Sequence, residues 1–120
     1  MNISDTRAII TGGVSGLGFA VAQHIVAHGG KVALFDINSL KAAEAITSLG
    51  AGNAAYFSTD VSDEDQVAEN TANAAEFMGG LNAAINCAGI IGAGRVLGRE
   101  ACMPLAQFST TIRVNLIGSF

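Results

Sequence analysis

The glycine-rich segment TGGVSGLG occupies residues 11–18, directly after a short apolar run at residues 7–10. After it, Leu17, Val21 and Ile25 recur at the spacing of a helix with one buried face. In a turn between a strand and a helix, glycine permits a tight bend, close approach of a ligand to the backbone, and close packing of the helix on the strand. The segment therefore predicts the start of a β-α-β unit and a binding site at the turn.

The rest of the chain repeats this alternation of short apolar runs with longer amphipathic runs. Further strands are predicted at residues 31–36, 54–59 and 81–87, and further helices at about residues 38–50, 62–78 and 104–116. Strands that alternate with helices indicate a parallel sheet with right-handed crossovers. We predict an α/β, Rossmann-type doubly wound parallel sheet of order 3-2-1-4, in one domain spanning residues 1–120 and lacking the later strands of such a sheet.

Local signals predict where the helices begin and which side they bury. Asn38 or Ser39 is expected to cap the second helix, and Ser62, with Asp65 three residues later, the third. Pro104 suits the first turn of the last helix. That helix is expected to turn one face inward, formed by Leu105, Phe108, Ile112, Asn115 and Leu116.

Composition excludes several classes of protein. Half of the residues are hydrophobic and 13% are charged, which excludes an intrinsically disordered chain. The net charge of -4 and the lack of a Lys/Arg cluster argue against nucleic acid or membrane as a partner. No apolar run approaches the roughly 18 residues of a membrane span, and no signal peptide is evident. With only Cys87 and Cys102, we expect free thiols and a cytoplasmic location.

The glycine segment and Asp36 together predict a dinucleotide site. A pyrophosphate at residues 12–18 would meet free N–H groups and the dipole of the first helix. Asp36 ends the second strand 18 residues after Gly18, close to the offset of about 20 residues at which a carboxylate binds the adenosine ribose. That carboxylate would repel a 2′-phosphate, so NAD is favoured over NADP. An ordinary glycine turn and a turn or capping role for Asp36 remain open.

The strand order supports the same location. It reverses between the first and fourth strands, and ligands bind at the carboxyl ends of strands at such a reversal. Residues 12–18 and residues 86–89 follow those two strands.

Four motifs in order resemble the short-chain dehydrogenase/reductase family, over the whole chain. TGGVSGLG is similar to the family's T-G-x-x-x-G-x-G loop, and Asp60-Val61 to its adenine-contacting pair. Residues 86–89, NCAG, resemble N-N-A-G with Cys87 in place of the second asparagine, and residues 114–120 resemble V-N-L-x-G-x-F. A finer resemblance, carried by Cys87 and the insertion at residues 89–103, is to type-2 3-hydroxyacyl-CoA dehydrogenases.

The resemblance implies NAD-dependent hydride transfer between a secondary alcohol and a ketone, with a small-molecule substrate. Ser15 and Leu17 would contact the pyrophosphate side, and Asp60 and Val61 the adenine. Asn115 would serve as a structural and proton-relay asparagine. The implied cofactor-binding residues are Gly12, Ser15, Gly16, Leu17, Gly18, Asp36, Asp60, Val61, Asn86, Cys87 and Gly89.

The family's catalytic Ser and Tyr-x-x-x-Lys do not occur at matching positions, and Tyr56 is the single tyrosine. We therefore expect an N-terminal portion of a longer enzyme, inactive as a 120-residue chain. The open edge of the fourth strand favours self-association into a homo-oligomer. A non-catalytic dinucleotide-binding or scaffold protein, and a methyltransferase, are the alternatives. His24 and His28 are expected to be helix-face residues, and no metal site is predicted.

Overall fold

The computed structural model describes residues 1–120. Its strands are β1 (Arg7–Thr11), β2 (Lys31–Asp36), β3 (Ala54–Ser58) and β4 (Ala83–Asn86). Its α-helices are α1 (Gly16–Ala27), α2 (Ser39–Leu49), α3 (Glu64–Met78) and α4 (Leu105–Asn115). A first 3-10 helix spans Ile3–Asp5 and a second spans Ile117–Ser119. The four strands form one parallel sheet in the order β3-β2-β1-β4, which confirms the predicted fold class and strand order.

The two central strands are buried on both faces of the sheet. On one face Ile10 and Leu34 pack in a cluster with residues of α1 and α2. On the other, Phe35 packs in a cluster with Met78 of α3. Parallel strands covered on both faces carry continuous apolar runs, which is why β2 could be located from the sequence. None of the helices combines the length and the apolar character needed to cross a membrane.

The cap of the third helix differs from the prediction. Asp63, not Ser62, is the N-cap, and its side chain accepts a hydrogen bond from the Gln66 N–H at 3.1 Å. The Ser62 hydroxyl instead donates to the Asp60 carboxylate at 2.7 Å. The nearby carboxylate is a charged acceptor, and bonds to charged groups are the stronger ones. At α2, Asn38 is the N-cap, but its side chain makes no capping bond.

Strand β4 is shorter at both ends than the predicted residues 81–87, and the side chain of Asn82 makes two hydrogen bonds just before it. The Asn82 amide accepts from the Arg7 N–H and donates to the Asp5 carbonyl, each at 2.8 Å. These bonds hold the start of β4 against the start of β1.

The inward face predicted for the last helix is wrong. No residue of α4 is buried, and Phe108 is 57% exposed. The reason is position: α4 does not lie across the sheet, and its main contacts are with the short 3-10 helix that follows it directly in sequence. The chain is accordingly elongated, with a radius of gyration of 16.0 Å against about 14 Å for a compact chain of this length.

Candidate functional site

A cleft of about 560 Å³ opens at the carboxyl ends of the strands. It is lined by segments that follow all four strands and by two residues of α4, so that only folding brings them together. Ten of the eleven predicted cofactor-binding residues line it, namely Gly12, Ser15, Gly16, Leu17, Gly18, Asp36, Asp60, Val61, Cys87 and Gly89.

Two glycines allow the loop after β1 to close against its neighbours. Gly12 has φ +65°, and a Cβ there would lie 3.0 Å from backbone atoms of Ala88. A Cβ at Gly18 would overlap the Gly12 carbonyl oxygen. The first glycine therefore lets the loop touch the segment after β4, and the second lets α1 begin close to the loop.

The N-terminus of α1 presents open N–H groups at the cleft. Ser15 is the N-cap, its side chain makes no capping bond, and the first turn holds no acidic residue. The first backbone bond of the helix is donated by Phe19 to the Ser15 carbonyl, so the N–H groups of Gly16, Leu17 and Gly18 have no partner within the helix. With the helix dipole, these groups favour an anion.

The Asp36 carboxylate is held in place by two backbone donors. Oδ1 accepts from the Asn38 N–H at 2.9 Å, and Oδ2 accepts from the Val14 N–H at 3.4 Å. The Tyr56 hydroxyl donates to the Asp36 carbonyl at 2.9 Å. Asp36 thus takes part in a local turn and also lines the cleft, between β2 and the glycine loop.

The Asp60 carboxylate is stabilised by hydrogen bonds from Ser62, two residues later. The hydroxyl and the N–H of Ser62 both donate to Oδ1, at 2.7 Å and 2.9 Å. These two bonds lower the pKa of the Asp60 carboxyl below its ordinary value; partial burial opposes the shift and the charge of Arg113 adds to it. Asp60 therefore presents a fixed negative charge at this end of the cleft.

The role of Thr11, the first residue of the glycine segment, was not predicted; it borders the cleft without lining it. Its side-chain oxygen accepts from the N–H groups of Cys87 and Ala88, each at 3.1 Å, and the residue is 8% exposed. Thr11 thereby joins the end of β1 to the segment after β4. The available signal was a hydroxyl at the last position of a buried strand, next to the glycine loop.

Asn86 and Asn115 do not line the cleft. The Asn86 amide donates to the Ser119 carbonyl at 3.1 Å. The Asn115 amide accepts from the Ile90 N–H and donates to the Ile90 carbonyl, both at 2.8 Å. Both asparagines hold loops to each other. The cleft also has lining residues that no motif marked, namely Phe35, Ile37, Thr59, Ile90 and Thr110. Ala88 and Val114 line it as well; they lie within the motifs at residues 86–89 and 114–120 but were not among the predicted binding residues.

The histidines and cysteines lie as single residues or pairs. The His24 and His28 rings are 4.4 Å apart on α1, and Nδ1 of His28 is 2.8 Å from the His24 carbonyl oxygen. No group of three or more His, Cys, Asp or Glu is arranged to hold a metal ion. Cys87 is half-buried in the cleft wall and Cys102 is exposed, both as free thiols.

Comparison with known proteins gives consistent matches. A family model described as short chain dehydrogenase matches residues 6–120. The chain is 38% identical over 119 residues to the 2,5-dichloro-2,5-cyclohexadiene-1,4-diol dehydrogenase of Sphingobium indicum, covering 99% of this chain and 46% of that protein. It is 36% identical over 115 residues to the 3-hydroxyacyl-CoA dehydrogenase type-2 of Bos taurus, covering 94% and 44%.

A solved structure is similar over the same extent. The short-chain dehydrogenase/reductase (glucose/ribitol dehydrogenase) of Brucella melitensis superimposes with a TM-score of 0.86 at 29% identity, covering 100% of this chain and 49% of that one. The chain therefore spans about half the length of the relatives it matches.

Proposed function

The chain belongs to the short-chain dehydrogenase family, and on that basis we propose that its cleft binds the adenosine half of NAD. The proposed protein is an oxidoreductase that moves a hydride between the nicotinamide and a secondary alcohol or ketone. The observation that carries this proposal is the convergence of ten predicted residues, from four separate segments, on one cleft. The protein side of that chemistry is to bind and orient the dinucleotide.

The phosphates are assigned to the N-terminus of α1. The open N–H groups of Gly16, Leu17 and Gly18 supply donors, and the helix dipole supplies a favourable field for the pyrophosphate. Asp36, held by Val14 and Asn38, then faces the adenosine ribose.

The preference for NAD over NADP follows from charge. No lysine or arginine is among the residues that line the cleft. A 2′-phosphate beside Asp36 would carry a charge of about -1.5 to -2 with no cation to offset it. The two hydroxyls of an unmodified ribose are instead hydrogen-bond donors for the carboxylate.

Tyr56 does not supply the acid/base group of this reaction. Its hydroxyl donates to the Asp36 carbonyl and the residue is not part of the cleft wall. The 120-residue chain is therefore proposed to bind the dinucleotide without turning over substrate. A non-catalytic dinucleotide-binding or scaffold role is the second candidate, favoured by this same position of Tyr56.

For the substrate we propose a small alcohol or ketone, with a 3-hydroxyacyl-CoA as the specific candidate. The similarity to the bovine type-2 enzyme supports that candidate, as do Cys87 and the insertion at residues 89–103. The Sphingobium relative carries the name of a diol dehydrogenase, so oxidation of an alcohol is the chemistry that the two names share.

A thiol-protection experiment tests the site directly. NADH bound in the cleft should slow alkylation of Cys87, while the exposed Cys102 reacts at an unchanged rate and acts as the internal control. Equal alkylation of Cys87 with and without saturating NADH would contradict the proposal. S-adenosylmethionine in place of NADH tests the methyltransferase alternative.

A titration with a matched pair of variants tests the ribose assignment. Asp36→Ala should weaken NADH about ten- to a hundredfold, the value of losing about 1.5–3 kcal/mol of hydrogen bonds to a charged group. Asp65→Ala, on the exposed first turn of α3, should leave the affinity for NADH unchanged. Equal affinities of the two variants would exclude the assigned role of Asp36.

A further inference from the structure

We infer that Gly118 is a positioning residue for the adenine side of the cleft, because its lack of a side chain lets the second 3-10 helix press against Val61 and hold it as the cleft wall. This inference rests on the proposed dinucleotide site. Gly118 itself does not line the cleft, whereas Val61 does.

The contact between the two residues leaves no room for a methyl group. A Cβ at Gly118 would lie 2.6 Å from Cγ2 and 3.2 Å from Cβ of Val61. Carbon atoms in contact are normally about 3.5–4.0 Å apart. The backbone of Gly118 is not in the left-handed region, so alanine is compatible with its conformation. Crowding of Val61 is thus the main effect of a Gly118→Ala substitution.

Val61 separates two clefts. On one side it lines the candidate dinucleotide cleft, and on the other it lines a smaller cleft of about 380 Å³ together with Ile117, Gly118 and Phe120. A methyl group added at residue 118 would therefore push Val61 toward the bound dinucleotide.

The second 3-10 helix is tied down and does not retreat freely. Its Ser119 carbonyl accepts from the Asn86 amide at 3.1 Å, and the Ser119 hydroxyl donates to the Asn115 carbonyl at 2.9 Å. Asn115 is itself held to Ile90 by two bonds of 2.8 Å. Asn86 and Asn115, which lie outside the cleft, thus support the backbone that presses on Val61.

The experiment compares a base-containing probe with one that lacks the base. Gly118→Ala should weaken AMP binding about tenfold, the scale of overpacking a tight contact. Binding of ribose 5-phosphate, which has no adenine to meet Val61, should change less than about twofold. Gly52→Ala is the matched control, since a Cβ there meets nothing within 4 Å. Both affinities are measured by NMR titration of the 120-residue chain.

A double substitution identifies Val61 as the intermediary. In a Val61→Ala background, which removes the Cγ2 atom that a Cβ at residue 118 would meet at 2.6 Å, Gly118→Ala should alter AMP binding less than about twofold. Should Gly118→Ala alone fail to fold, the double variant should still fold and bind AMP at the affinity of Val61→Ala.

The outcomes separate cleanly. Unchanged AMP binding in Gly118→Ala, equal loss of both probes, or an undiminished effect in the Val61→Ala background would each overturn the positioning role. Failure of the unsubstituted chain to bind AMP or NADH would refute the proposed function, and this inference with it.

Discussion

Replacing Thr11 with valine should destabilise the fold by weakening the link between the end of β1 and the segment after β4. The substitution keeps the branched shape but removes the oxygen that accepts from the N–H groups of Cys87 and Ala88. The Cys87 N–H keeps a second acceptor, the Thr11 carbonyl at 3.2 Å. The Ala88 N–H loses its acceptor; because Ala88 is half-buried at the edge of the cleft, the free energy of unfolding should fall by about 0.5–1.5 kcal/mol, the net value of one hydrogen bond.

The assay is urea unfolding followed by circular dichroism, with Thr11→Ser as the control that retains the hydroxyl. The urea midpoint should fall in Thr11→Val with an unchanged m-value, because the surface exposed on unfolding is the same. Thr11→Ser keeps the hydroxyl but removes a buried methyl group, so it should lose about 0.8 kcal/mol for that group alone and should keep the bonds to Cys87 and Ala88. A Thr11→Val protein as stable as the unsubstituted chain would refute the reasoning, since the hydroxyl would then contribute nothing.

Three further expectations follow from the same structure. The pKa of Asp60 is lowered on folding, so its contribution to stability is complete above its unfolded pKa of about 3.9 and disappears as the pH falls through the lower folded value. Urea titrations between about pH 5 and pH 2 should therefore show that Asp60→Asn loses less stability than the unsubstituted chain, and equal losses in the two proteins would contradict the shift. Gly18→Ala should lower the free energy of unfolding by about 1–3 kcal/mol because its Cβ would overlap the Gly12 carbonyl oxygen. Thermal unfolding checks this against Gly52→Ala, whose Cβ meets nothing within 4 Å, and equal melting temperatures of the two variants would count against the overlap. The outer edge of β4 has no partner strand, so we expect sedimentation to reveal concentration-dependent self-association, and a monomer at every concentration would exclude it.

The glycine loop, β2 and Asp36 were predictable because their signals are local. A continuous apolar run marks a strand covered on both faces, and a glycine turn followed by helical spacing marks the connection. The carboxyl ends of parallel strands then share one edge of the sheet. Asp36 and Asp60 both line the cleft; Asp60 was assigned to the cofactor by the family resemblance alone, and the binding role of each stays a prediction.

Two of the three features that sequence reasoning missed depend on tertiary contacts, and the third is a local competition. Ser62 was assigned as a cap, but the Asp60 carboxylate two residues earlier accepts from both its hydroxyl and its N–H. The apolar spacing of α4 predicted burial, but spacing reveals a face and not what covers it. The bonds of Thr11 could not be predicted because its partners lie 76 and 77 residues away along the chain.

The central place of β1 in the sheet sets how the site would respond to hydrogen exchange. β1 pairs with β2 on one side and β4 on the other, so its amides should exchange only on global unfolding, while those of α4, which buries no residue, should exchange through local opening. The cleft is lined by residues from both the slowly and the rapidly exchanging parts of the chain, because its glycine loop follows β1 and its residues Thr110 and Val114 come from α4. A dinucleotide that spans the cleft would therefore extend slow exchange from the sheet into the helix.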